Sequence, residues 1–159
     1  MMRLAILGLA AVALTACQSS SDPATSPPPP VQAPPPAPAA GSAALDSSII
    51  VTPPDKKVPK QYAAFSGIWA GTWDGPLDAK LAVRSVTANG SATVTYAWGE
   101  MGATKPGIVD GQGRIKGSTL KLDRFASGVD TTFTMQPDGT LAGTYSLAGT
   151  TYKGVFHRQ

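Results

Sequence analysis

Few side chains in this chain are suited to chemistry, and the ones that are stand alone. His157 is the only histidine and Cys17 the only cysteine. A site built on two imidazoles is therefore excluded. His157 lies between Phe156 and Arg158, and strand alternation turns it away from the apolar face, so it reads as an exposed strand residue rather than a base. One cysteine cannot form an intramolecular disulfide. Asp74 and Asp78 flank Gly75-Pro76, but a carboxylate pair for glycoside chemistry needs a cleft and a controlled separation, which nothing nearby signals. No serine sits in Gly-x-Ser-x-Gly. Gly111-Gln112-Gly113 lacks the strand-to-helix setting of a phosphate loop. The chain reads as non-catalytic, with no metal and no cofactor.

What the chain does offer is aromatic. Trp69, Trp73, Tyr96, Trp98, Tyr145 and Tyr152 either fill a core or line a pocket. A barrel of about eight strands is just wide enough for side chains or one small ligand. In so short a folded region, filling the core is the expected role for most of them. The longest irregular stretch, residues 99–107, follows directly on Trp98. It carries Glu100, Met101 and Lys105, and with Tyr96 and Trp98 these form the candidate ligand-binding set.

The elements that must position these residues are strands. Strand-like runs cover 68–73, 77–86, 92–98, 108–110, 113–117, 119–125, 131–136, 140–147 and 152–158, and several of them alternate apolar with polar residues. Leu77, Ala79, Leu81 and Val83 share one face, and Ala92, Val94, Tyr96 and Trp98 another. Leu120 pairs with Leu122, and Phe133 with Met135. Leu141, Gly143, Tyr145 and Leu147 form a row, followed by Tyr152, Gly154 and Phe156. One apolar and one solvated face per strand is the pattern of an antiparallel sheet over a single core. Asn89-Gly90, Pro137-Asp138-Gly139 and Ala148-Gly149 mark hairpin turns. Gly143 and Gly154, inside rows of large residues, signal a bend or a close approach. The expected architecture is all-β: a small up-and-down antiparallel barrel of about eight strands over residues 62–159, preceded by one turn of helix near residues 59–65.

The N-terminal third is different in kind. Of the 15 prolines, 12 fall between Cys17 and Tyr62. Pro27 to Pro30 and Pro34 to Pro36 are unbroken runs with Ala, Ser and Gly around them. Such a segment buries too little apolar area to offset ordering its backbone, and it favours extended polyproline II. Residues 17–61 thus read as a disordered tether. Within it, Leu45-Asp46-Ser47-Ser48-Ile49-Ile50-Val51 suggests a short strand, an apolar tag on the folded part, or a partner contact. Lys56-Lys57-Val58-Pro59-Lys60 is a small basic cluster, either a solvated linker end or a contact for an anionic surface. In residues 62–159 nine Lys/Arg face seven Asp/Glu, with the signs interspersed. No run or stripe of basic residues points to nucleic acid. At the start, Met1-Met2-Arg3 precedes an uncharged apolar stretch over residues 4–16, the length of a signal-peptide core and too short to span a bilayer.

Two resemblances sharpen these readings. Leu14-Thr15-Ala16-Cys17 resembles the lipobox of bacterial lipoproteins. That resemblance implies removal of residues 1–16, a diacylglycerol on the Cys17 thiol and an acylated amino group; together these are more than the two chains that stable anchoring requires. Gln18 and Ser19, where retained lipoproteins carry Asp, lean toward the outer membrane. Gly67-Ile68-Trp69 and Gly71-Thr72-Trp73 resemble the Gly-x-Trp that opens the first strand of calycin barrels, the lipocalin and avidin-like superfamily. Asp138-Gly139-Thr140-Leu141-Ala142-Gly143-Thr144-Tyr145 is similar to a strand–turn pattern of avidin-like barrels. The resemblance implies a contact between Arg158, near the end of the last strand, and Trp69 or Trp73. No residue set matches a biotin site, so function does not carry over. The expectation is a membrane-anchored envelope protein whose barrel head binds without catalysis. The alternatives are an inhibitor of an envelope protease acting through loop 99–107, and a carrier of a small apolar ligand.

Overall fold

The computed structural model describes residues 42–74, 77–100, 102–124 and 128–159. The expectations for the leader, Cys17, the proline runs and Met101 fall outside those residues. One short helix, α1 (Lys60–Ala63), precedes eight strands: β1 (Gly67–Trp73), β2 (Asp78–Val86), β3 (Ser91–Trp98), β4 (Gly107–Lys116), β5 (Thr119–Leu122), β6 (Asp130–Met135), β7 (Leu141–Leu147) and β8 (Thr150–Arg158). Each strand pairs antiparallel with the next, and β8 returns to β1, so the sheet closes into a barrel. Closure removes both sheet edges, which an isolated sheet would leave as unpaired backbone.

The alternation seen in the sequence decides which side faces in. Leu81, Val83, Val94, Ile115, Leu120, Leu122, Phe133, Leu141 and Phe156 are all fully buried, and with Trp69 and Trp73 they form the core. The runs at 108–110 and 113–117 are one strand, β4. Gly111 and Gln112 stay in the ladder opposite Val94 and Thr93, because pairing with β3 outweighs the poor strand propensity of glycine.

Two hairpins share a turn. Gly90 N–H donates to the Thr87 carbonyl, and Gly139 N–H to the Gln136 carbonyl, both at 3.0 Å. Both glycines have φ of +83°, the αL residue that ends a type I turn with a bulge. The β7–β8 turn is tighter. Ala148 and Gly149 both have positive φ, 49° and 84°, with Leu147 opposite Thr150.

The paired glycines Gly143 and Gly154 lie opposite each other on β7 and β8. A Cβ on Gly143 would stand 2.7 Å from the Trp73 ring. Their row is left empty so that the indole can occupy the space.

The packed region begins upstream of residue 62. Val58 belongs to the core, and Ala43 is buried. The register of β2 against β3 shifts between Val83 and Ser85, which frees the Arg84 carbonyl from the ladder. Thr52 N–H donates to that carbonyl at 2.7 Å, satisfying a group the bulge would orphan. Ala82 and Ala97 point outward by alternation yet are fully buried. Segment 42–58 meets β2 at Thr52. Within this segment Ile50 remains 77% exposed.

Candidate functional site

The two ends of the barrel are built differently. At one end α1 and the residues after it close the opening. Phe65 is fully buried, and its carbonyl accepts the Trp69 indole N–H at 2.9 Å. Trp69 sits opposite Arg158 in the β1–β8 register. The Arg158 guanidinium lies over the Trp69 ring, 4.3 Å from its centroid, a cation–π geometry. It also donates to the Ser66 carbonyl at 2.6 Å and to the Ala64 carbonyl, so one side chain ties β8 to the carbonyls that follow α1. Gly67 makes this arrangement feasible. Its φ is +135°, and a Cβ there would meet the Arg158 guanidinium at 2.3 Å. The glycine of Gly-x-Trp is thus explained by backbone conformation and by space together. Trp73, the other candidate partner of Arg158, belongs to the opposite end.

That opposite end, the mouth, is where β1, β3, β5 and β7 finish. Trp73 donates its indole N–H to the Tyr96 hydroxyl at 2.7 Å. Burial pushes the Tyr96 phenol well above its ordinary pKa, against the opposing pull of the Trp73 hydrogen bond, so this hydroxyl stays neutral. Around this pair stand three half-buried aromatics. Trp98 is stacked on Tyr96, with ring centroids 6.1 Å apart. Tyr145 lies 5.7 Å from Trp73, and Tyr152 a further 5.7 Å from Tyr145. Burial, and then the neighbouring Tyr152, raises the Tyr145 phenol as well. Thr131 pairs with Tyr145 across β6 and β7 and is 1% exposed. Its hydroxyl is buried without a hydrogen-bond partner among the described residues. An unmet hydroxyl at such a depth costs about 1–3 kcal/mol.

The structure divides the sequence-derived candidate set. Tyr96 and Trp98 share the inner face of β3 and stack. Glu100 and Lys105 are exposed on the loop after β3, and neither belongs to an ion pair among the described residues. Lys105 contributes through its backbone, since its carbonyl accepts the Trp98 indole N–H at 2.9 Å. Gly107 lies under the same ring, with space for no Cβ. Gly99 N–H donates to the Asp78 carbonyl at 2.8 Å, so the loop is pinned at both ends while residues 102–106 are exposed.

Thr131 was missed in the sequence. It shares the parity of Phe133 and Met135, so its inward direction was legible; its lack of a partner was not. Asp74 is a latch between strands, since its carboxylate accepts the Lys153 N–H at 2.9 Å. Asp78 sits in the ladder opposite Thr72. His157 is on the outer face, opposite Ala70. No three His, Cys, Asp or Glu gather into a metal-holding group among the described residues. A groove of about 680 Å³ runs along the outside of β7, β8 and β1, bordered by Thr72, Asp74, Ala142, Thr144, Lys153 and Val155. It is open to solvent, and Trp73, Gly143 and Gly154 also line it. Neither a scan against models of known protein families nor a search of curated proteins finds a match to this chain.

Proposed function

We propose that this chain is a lipid-anchored protein of the bacterial outer membrane, acylated on Cys17, whose barrel head is a non-catalytic binding module working through its mouth. The observation that carries the binding reading is the mouth itself. A buried Thr131 hydroxyl lacks a partner among the described residues, and it sits beside the half-buried tyrosines Tyr145 and Tyr152. A small, neutral, mostly apolar molecule bearing one hydrogen-bonding group complements that chemistry, since ligand sites combine apolar walls with a few placed polar groups. Titration of the full chain with an anilinonaphthalene dye, followed by tryptophan fluorescence, tests it. Saturable binding that Tyr152→Ala weakens supports the carrier form. A folded protein that takes up no dye overturns it.

A second reading, contact with an envelope protein such as a protease, is favoured by the loop after β3. Its pinning by Trp98 and Asp78 preorganises exposed residues, which lowers the ordering cost of binding. Replacing residues 100–106 with a glycine-serine linker should abolish protease inhibition while leaving dye uptake intact. Anchoring is tested separately. Cys17→Ser should change the mass of the mature protein, with loss of the acyl chains and of cleavage before residue 17; an unchanged mass refutes acylation.

A further inference from the structure

We infer that the closed end of the barrel is a docking surface for anionic lipid headgroups. Lys56, Lys57, Lys60, Arg114 and Lys116 are all exposed, and the fold gathers them from three separate elements. Lys56 and Lys57 lie in the turn before Val58, whose side chain enters the core. Lys60 opens α1. The α1 residue Tyr62 lies close against Gly90 of the β2–β3 turn. The Gly90 carbonyl accepts the Ile115 N–H at 2.7 Å, and the Arg114 guanidinium reaches the Asn89 carbonyl at 3.3 Å. The end of β4 and α1 therefore flank the same turn, and Lys116 continues from it.

The carboxylates at this end are engaged locally. Asp55 accepts the Lys57 N–H at 2.8 Å, and Asp138, in the β6–β7 turn, accepts the Thr140 N–H and hydroxyl. With Arg158, which is bound to the Ser66 and Ala64 carbonyls, six cations stand against two carboxylates. The mouth has the reverse balance. Asp74, Asp78, Glu100, Asp123 and Asp130 are countered by Lys105, Arg124 and Lys153, and Arg124 is already paired with Asp130. The chain's small net charge of +3 hides this separation. A barrel with a cationic base and an acidic rim orients over an anionic bilayer with its base down and its aromatic mouth outward. The inference holds whether or not Cys17 carries lipid.

The experiment uses the full chain carrying Cys17→Ser, with sedimentation on phosphatidylcholine vesicles prepared with and without phosphatidylglycerol. The leader and Arg3 are common to every variant, so differences between variants report the head. Wild type should prefer the anionic vesicles, and added sodium chloride should erase the preference. Combined Lys56→Gln, Lys57→Gln and Lys60→Gln should weaken anionic binding by about fivefold for each lysine removed. Arg114→Gln with Lys116→Gln, on a different element, should weaken it in the same sense. Lys105→Gln with Lys153→Gln at the mouth should leave it unchanged. Equal binding to both vesicles overturns the proposal. So does a preference that survives the triple substitution, or one that the mouth pair removes equally well.

Discussion

Trp69 at the closed end and Trp98 at the mouth each donate the indole N–H to a backbone carbonyl at 2.9 Å. The likeness ends there. Trp69 is completely buried, roofed by Arg158 and backed by Phe65. Trp98 is half-buried, lies over a glycine, and is held by a loop that faces solvent. Around Trp69 the polar groups are satisfied within the fold: its N–H and the guanidinium of Arg158 are both hydrogen-bonded to backbone carbonyls. Inside the mouth the Thr131 hydroxyl has no hydrogen-bond partner among the described residues, and three aromatic rings are left partly in water. The same residue types stabilise at one end and remain available at the other. What separates them is whether a cover, α1 and its following residues, lies on top.

Five substitutions test that contrast, beginning with the largest effect. Trp69→Ala should cost about 3–5 kcal/mol of stability, as large-to-small changes at filled core sites do. Trp98→Ala should cost less than half of that. Urea unfolding of both variants measures the difference, and equal losses would abolish the distinction between the ends. Next comes Tyr96→Phe, which strands the Trp73 N–H without its acceptor. It should cost about 1–3 kcal/mol.

The same residue gives a pH signature with a definite sign. The folded phenol is raised above the ordinary value of 10.0, so the unfolded chain loses its proton first. The stabilisation is complete below pH 10 and falls as pH rises beyond it, by up to about 1.4 kcal/mol per pH unit. Tyr96→Phe should flatten this alkaline limb in a series of melts. A limb that stays as steep would assign it to other groups.

Thr131→Val is nearly isosteric and removes a hydroxyl that has no partner among the described residues. It should leave stability unchanged or raise it by about 1 kcal/mol, while weakening dye uptake at the mouth. A marked loss of stability would show that the hydroxyl is satisfied in solution, and the mouth would lose its unmet group. The smallest effect lies at the β7–β8 turn. Ala148 holds φ of 49°, which Gly or Asn adopts more readily. Ala148→Asn should stabilise by a few tenths to about 1 kcal/mol. A lower melting temperature would instead point to side-chain contacts that the turn relies on.

The difference between the ends was only partly visible in the chain. The inward rows of β2, β3 and β5 were readable because a strand repeats every two residues, and burial on one face enforces that repeat. The short helix before β1 was readable from its flanking proline and glycine. The break expected at Gly111-Gln112 was not real, because local propensity cannot report the partner strand that holds those residues extended. The approach of segment 42–58 to β2 was partly legible, since an apolar tag on the folded part was one reading of residues 45–51. Its point of attachment was not: it depends on a bulge at Arg84 that exposes one carbonyl to the Thr52 N–H.

By itself, then, the sequence determined the all-β class, the closed antiparallel alternation and the scarcity of chemically reactive side chains, since these follow from residue type and a period of two. The tertiary structure decided that Arg158 covers Trp69 rather than Trp73, that Gly143 and Gly154 yield their space to the Trp73 ring, and that Thr131 is left without a partner among the described residues. It also sorted interspersed charges into a cationic base and an acidic rim. Each of these depends on which strand ends meet in space, and that is set by barrel closure and register, which join residues dozens of positions apart.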